Sequence, residues 1–175
     1  MRDISTITLL TPMRETPLIG EIVSREIEIL GSTLRDGLKI QKMFLPYGPA
    51  EIVTMEDEAA AERVIRDIIE DFSLESNILV NCTADIGLGL IRERVKASVG
   101  IGSAGFEKAM TMGKTFSIIV PTNDYVEGIQ EQTSTMSIDH RVGGIFSIDA
   151  EVHSFVEHRE EAVNKLAEVI ASNGI

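Results

Sequence analysis

The 175-residue sequence has one cysteine, no tryptophan, and aromatic side chains at only 5% of positions. A lone cysteine cannot close an internal disulfide, so no disulfide framework is expected and a reducing, cytoplasmic setting follows. Positive charge is scarce as well: 16 Lys and Arg stand against 28 Asp and Glu, a formal net charge of −12. That field repels polyanions, which argues against nucleic acid and against an anionic membrane as partners. An anionic small molecule would need local Arg side chains or backbone N–H groups to oppose the global field. No apolar run approaches the roughly 18 residues of a membrane span. The opening MRDISTITLL sets Asp3 beside Arg2 and carries too short an apolar run for a signal peptide. There is no G-x-S-x-G segment and no P-loop. His153 and His158 are five apart and do not share a helix face, and Asp139-His140 reads as a solvated loop, so no metal site is expected.

What remains is an ordinary globular composition, 43% hydrophobic and 25% charged, long enough for one domain or two small lobes. ISTITLL (4–10) is β-branched and apolar and reads as a strand stopped by Thr11-Pro12. Residues 18–30 place Leu18, Ile22, Ile29 and Leu30 at helical spacing. KIQKMFL (39–45) alternates as a second strand closed by the turn PYGP. In 55–72, Ala61, Val64, Ile65, Ile68 and Phe72 form one stripe of an amphipathic helix with acids in its first turn. NILVN (77–81), FSIIV (116–120) and GGIFSI (143–148) read as strands; GLGLIRERV and SAGFEKAMTMG read as helices. A last helix, 154–173, opens on a capping box of Ser154 and Glu157 and ends at Asn173-Gly174. Strands alternating with helices in this way predict an α/β protein with a mainly parallel sheet and helices on both faces.

Cys82 lies just past the apolar core of the 77–81 strand and before a helix. Ligands of open α/β sheets bind beyond the carboxyl ends of the strands. A thiol there meets backbone N–H groups and the positive end of a helix dipole, both of which favour thiolate. Free cysteine is also among the most buried residue types and commonly just packs. Its neighbours Asn81, Thr83, Ala84 and Asp85 are polar or small, company that a packing cysteine does not need.

GIGSAG, Gly100–Gly105, fits G-x-G-x-x-G, and Asp124 follows at a suitable distance. A dinucleotide fingerprint requires an apolar strand leading into the first glycine. The lead-in here, RERVKAS, is charged and helical in pattern, so the glycines are read as allowing close packing of a connection against the next helix.

The segments GPAEIVTMEDEAAAERVIRDI, ILVNCTADIGLGLIRERV and VGIGSAGFEKAMTMGKTFSIIVPTNDY, in this order, resemble the Asp/Glu/hydantoin racemase superfamily, which includes maleate isomerase and arylmalonate decarboxylase. Cys82, Asp85, Gly87, Leu88 and Arg92-Glu93 are similar to that family's C-x-x-D-P-G-L…R-E segment, with Ile86 where hydantoin racemases carry Pro. The resemblance implies two pseudo-symmetric α/β lobes, residues 1–98 carrying Cys82 and residues 99–175, with the site in the cleft between them. It implies no cofactor and no metal. One cysteine takes the proton α to a carboxylate or hydantoin carbonyl from one face, and a second returns it on the other. Abstraction creates an enolate-like anion that needs preorganised donors; Thr11, Thr83, Ala84, Thr122, Asn123 and Tyr125 lie where such loops would supply them. For these residues the plainer readings are a strand end for Thr11, turn formation for Thr122-Asn123 and a rim phenol for Tyr125.

The family's second cysteine follows the last long helix of the second lobe, whereas this sequence stops at Ile175 with Cys82 alone. The second lobe is therefore expected to lack its last strand. Three accounts follow: a truncated or split form of a longer protein, a one-cysteine isomerase or decarboxylase, or a binding or structural protein without catalysis. The family's one-cysteine decarboxylases keep the cysteine of the second half, while Cys82 matches the first. An open sheet edge would be covered by self-association, so a homo-oligomer is expected.

Overall fold

The computed structural model describes residues 6–34, 38–73, 76–150 and 157–175. It divides into two compact units, Met1–Gly105 and Phe106–Ile175.

The first unit is a four-stranded sheet in the order β2-β1-β3-β4, built from β1 (Thr6–Arg14), β2 (Lys39–Leu45), β3 (Asn77–Val80) and β4 (Ala97–Gly100). Every pairing in it is parallel, with Leu10 opposite Met43 on one side and Val80 on the other. The crossovers are α1 (Pro17–Thr33), α2 (Met55–Ile68) and α3 (Leu88–Arg94). The chain turns one way from β1 to β2 and the opposite way from β2 to β3, so right-handed crossovers set α1 on one face and α2 and α3 on the other. Burial agrees with this. Leu10, Leu45, Ile78 and Val80 share one cluster with Ala61, Val64 and Ile65 of α2 and with Ile91 of α3. Leu9 of β1 and Val23 of α1 are buried outside that cluster.

Local chemistry explains the helix starts. Thr16 caps α1, its hydroxyl accepting from the N–H of Ile19 at 3.3 Å, with Pro17 as the first helical residue. Thr54 and Asp57 form a reciprocal capping box on α2, and the N–H and O–H bonds that Asp57 accepts from Thr54 hold its carboxyl below the usual range.

Three expectations need correction in this unit. β1 does not stop at Thr11-Pro12 but runs to Arg14. The ladder skips between Thr11 and Arg14, so buried Pro12 sits in an irregularity where no N–H is demanded. The stripe expected of α1 is not its buried one: Gly20 and Val23 are buried, while Ile29 is 60% exposed. A strand does lead into Gly100. β4 is an edge strand of small residues paired only to β3, and this one-sided support needs no apolar run.

The second unit is a parallel pair, β5 (Phe116–Val120) and β6 (Val142–Ser147), with a register shift between Phe116 and Ser117. Helix α4 (Ile101–Met112) opens in the first unit and closes in the second. Its end is held by the Arg141 guanidinium, which donates to the carbonyls of Gly113 at 2.7 Å, Met110 at 3.2 Å, and Lys114. Phe106 stacks on Phe116 with ring centroids 6.0 Å apart. Helix α5 (Asp124–Thr135) follows β5. It carries no strong apolar stripe, burying only Ile129 and Thr133, and the sequence pattern does not reveal it. Helix α6 (Arg159–Asn173) ends at left-handed Gly174, as the Asn173-Gly174 signal predicts. The Ser154 half of its expected capping box lies outside the described residues. No described helix is long and apolar enough to cross a membrane.

Candidate functional site

Strand β1 lies between β2 and β3, and the chain leaves β1 and β3 toward opposite faces. Their carboxyl ends therefore form the topological switch point of the sheet, where open α/β proteins bind ligands. Residues 81–87 occupy that point.

Asn81 continues β3 by one residue, its N–H donating to the Leu10 carbonyl at 2.7 Å. Its side chain turns to the α1 face, where the amide nitrogen is 2.8 Å from a Glu26 carboxylate oxygen and 3.5 Å from the Thr11 hydroxyl. Thr11 is only 2% exposed and lies within β1 rather than at its end. Cys82, next in the alternation, faces the other way and packs against the α2/α3 cluster with Ala84.

The chain then folds back on itself. The Asp85 N–H donates to the Cys82 carbonyl at 3.0 Å, and Asp85 takes a left-handed conformation with φ +53°. Gly87 is left-handed too, φ +72°, a conformation L side chains rarely adopt, and a Cβ there would fall 2.4 Å from Ile65 Cδ1, so any other residue would be strained and would have to displace the end of that side chain. Ile86 is buried in the cluster below. This path aims the backbone N–H groups of Ala84 and Ile86 at the Cys82 sulfur. A proline at position 86 could not supply the second of them.

The expectation of a thiolate is corrected by this geometry. Burial pushes the Cys82 thiol up to about 11, and the nearby carboxylates of Glu58 and Asp85 push in the same direction. The two N–H groups pull the other way without prevailing. At neutral pH Cys82 is a protonated thiol, half-buried, at the mouth of the sheet.

Asp85 explains the glycine-rich segment. Its Oδ1 accepts from the Gly102 N–H at 2.9 Å and its Oδ2 from the Ser103 N–H at 2.7 Å, in the first turn of α4. A Cβ on Gly100 would lie 2.0 Å from Oδ1. The place that a nucleotide phosphate would take at this helix start is filled by the protein's own carboxylate.

Of the other residues singled out from the sequence, Thr83 is exposed and Ala84 half-buried beside Cys82. Thr122, Asn123 and Tyr125 belong to the second unit, at the carboxyl end of β5 and the start of α5. Asn123 is exposed, the Thr122 hydroxyl lies 3.4 Å from Asp124 Oδ2, and the Tyr125 N–H donates to the Thr122 carbonyl at 3.3 Å. Asn81 and Glu26 were not singled out as site residues; their bond spans 55 residues, and only the strand order brings them together.

The described residues also line an open groove of about 610 Å³ at the start of α1, among them Glu15, Thr16, Glu21, Ser24 and Lys42. Its one cation, Lys42, is 3.1 Å from Glu15, so the groove offers little to an anion, and Cys82 is not in its wall.

No protein-family model matches the sequence, and no curated protein matches it. Solved structures do. The fold is that of an allantoin racemase from Klebsiella pneumoniae, with a TM-score of 0.79 over 97% of this chain and 70% of that one, at 18% identity. An allantoin racemase from Pseudomonas fluorescens superposes with a TM-score of 0.81 over 95% of this chain and 69% of that one, at 14% identity. What the two superpositions show is the fold: the α/β architecture with parallel strands is shared with these two allantoin racemases.

Proposed function

We propose that the protein is a cofactor-independent racemase or isomerase acting at the carbon α to a carboxylate or hydantoin carbonyl, with Cys82 as its acid/base. The observation that carries this reading is the placing of Cys82: a thiol at the switch point of a racemase fold, with two backbone N–H groups on its sulfur. The two structural neighbours are allantoin racemases, and allantoin, a hydantoin, is the first substrate to try.

The chemistry is proton transfer at carbon. The α-hydrogen passes as a proton to the thiolate form of Cys82, forming the S–H bond, and the C–H electron pair stays on carbon, delocalised into the adjacent carbonyl as an enolate. A protonated thiol on one face then returns a proton to that carbon, and the sulfur keeps the electron pair of the broken S–H bond as thiolate. A thiol held near 11 is a donor of this kind at neutral pH. The resulting thiolate is stabilised by the Ala84 and Ile86 N–H groups, so the same sulfur removes the hydrogen in the reverse direction. The Thr83 hydroxyl, on the same turn as Cys82, is the proposed donor to the enolate oxygen, and Thr122, Asn123 and Tyr125 are proposed substrate-binding residues of the second unit.

Loss of optical activity from single-enantiomer allantoin, measured against buffer alone, tests the reading. Racemisation faster than the buffer rate, lost on alkylation of Cys82, is expected. Racemisation that survives complete alkylation removes Cys82 from the reaction.

A further inference from the structure

We propose that Asp85 is the positioning residue of the Cys82 turn, a carboxylate latch that fastens the turn to the first turn of α4. The inference rests on the reading of Cys82 as the working group and adds the device that holds it.

Three independent features converge on this carboxylate. Both of its oxygens are engaged, one by the Gly102 N–H at 2.9 Å and one by the Ser103 N–H at 2.7 Å, across 17 and 18 residues of sequence. The residue that supplies it is left-handed at φ +53°, a conformation that non-glycine residues seldom adopt and that the surroundings hold in place. Gly100, at the end of β4, leaves the space the carboxylate fills, since a Cβ there would meet it at 2.0 Å. The Asp85 N–H closes onto the Cys82 carbonyl, and the residues on either side, Ala84 and Ile86, supply the N–H groups that reach the sulfur. Fixing Asp85 thus fixes both donors relative to the thiol. Without the latch the turn has no reason to keep a left-handed aspartate, and the thiol loses its enclosure.

The test is alkylation of the 175-residue chain by iodoacetamide across a pH series, with Asp85→Asn and Ser103→Pro as variants. Asparagine offers one acceptor oxygen instead of two and removes the charge. Proline at 103 keeps the charge and deletes only one latch donor, at a helical first-turn position where an N–H has no partner within the helix. Ser103→Ala, which retains the N–H, is the control. In Asp85→Asn the midpoint is expected to fall by at least about one pH unit, which raises the thiolate fraction and the labelling rate near neutral pH about tenfold. Ser103→Pro should move the same way by less, and Ser103→Ala should follow wild type. A Ser103→Pro curve that overlays wild type in a protein with an unchanged circular dichroism spectrum overturns the latch, whether or not Asp85→Asn folds. Labelling needs no substrate, so a latch without racemisation and racemisation without a latch are separate results.

Discussion

After β3 the chain runs through Asn81, Cys82, Thr83, Ala84, Asp85, Ile86 and Gly87; after β5 it runs through Pro121, Thr122 and Asn123. Both turns lie at the carboxyl end of a parallel strand and lead to a helix. The first is folded tightly over a core, with two left-handed residues, a buried Ile86 and a sulfur enclosed by backbone donors. The second is short and wet, with Asn123 exposed and capping no helix N–H through its side chain. On the proposed reading, the turn that holds a proton-transfer group at a raised pKa needs enclosure and rigidity, and a turn proposed only to bind needs access. The supporting sheets differ likewise: four strands over one large cluster in the first unit, two half-buried strands in the second.

The largest expected difference between the turns is in activity. Cys82→Ala should lower racemisation by 10²–10⁴-fold, the usual contribution of a general acid/base. Thr122→Ala, on the exposed second turn, should lower it by about tenfold at most, the worth of one solvent-accessible hydrogen bond. Equal losses in initial-rate measurements would erase the distinction. Next comes stability. Ile65, fully buried beneath Gly87, should cost 2–5 kcal/mol on truncation to Ala, whereas half-buried Ile118 of β5 should cost about 1 kcal/mol. Urea denaturation of the two variants checks this order.

A pH effect sharpens the contrast further. The Cys82 thiol rises from 9.0 to about 11 on folding, so the folded state keeps its proton where the unfolded chain loses it. The stability from this group is fully present below pH 9 and declines as pH rises from about 9 to 11, by on the order of 2 kcal/mol. Cys82→Ala should remove that decline, as read by thermal melts across the interval. The smallest effect lies away from both turns. Thr54→Ala removes half of the α2 capping box and should cost about 1 kcal/mol with activity unchanged.

Much of the frame was legible in the residues. β2 and β5 fall where their apolar alternation and runs place them, and α2 buries Ala61, Val64 and Ile65 as its stripe requires. What escaped has physical causes. β4 is four small residues at a sheet edge, held by pairing to β3 and not by apolar side chains. α5 buries too little to leave a periodic signal. At the site, the position of Cys82 was legible from the strand before it and the helix after it, but its protonation was not. Burial by α2 comes from residues 14 or more positions away in sequence and the approach of Glu58 from 24 away, and they outweigh the local N–H groups. The Gly100 and Gly102 pattern was visible from the start, and only the fold shows the carboxylate that it accommodates.

The central claim is that the Cys82 sulfur exchanges a proton with a substrate carbon. Proton NMR in deuterium oxide follows it directly, as loss of the α-hydrogen signal from allantoin, from 5-substituted hydantoins, and from aspartate and glutamate. The account predicts exchange of at least one of these by the wild-type protein above the buffer rate, and its disappearance in Cys82→Ala. Exchange at the same rate in Cys82→Ala, or none across the whole series in the wild-type protein, would contradict it.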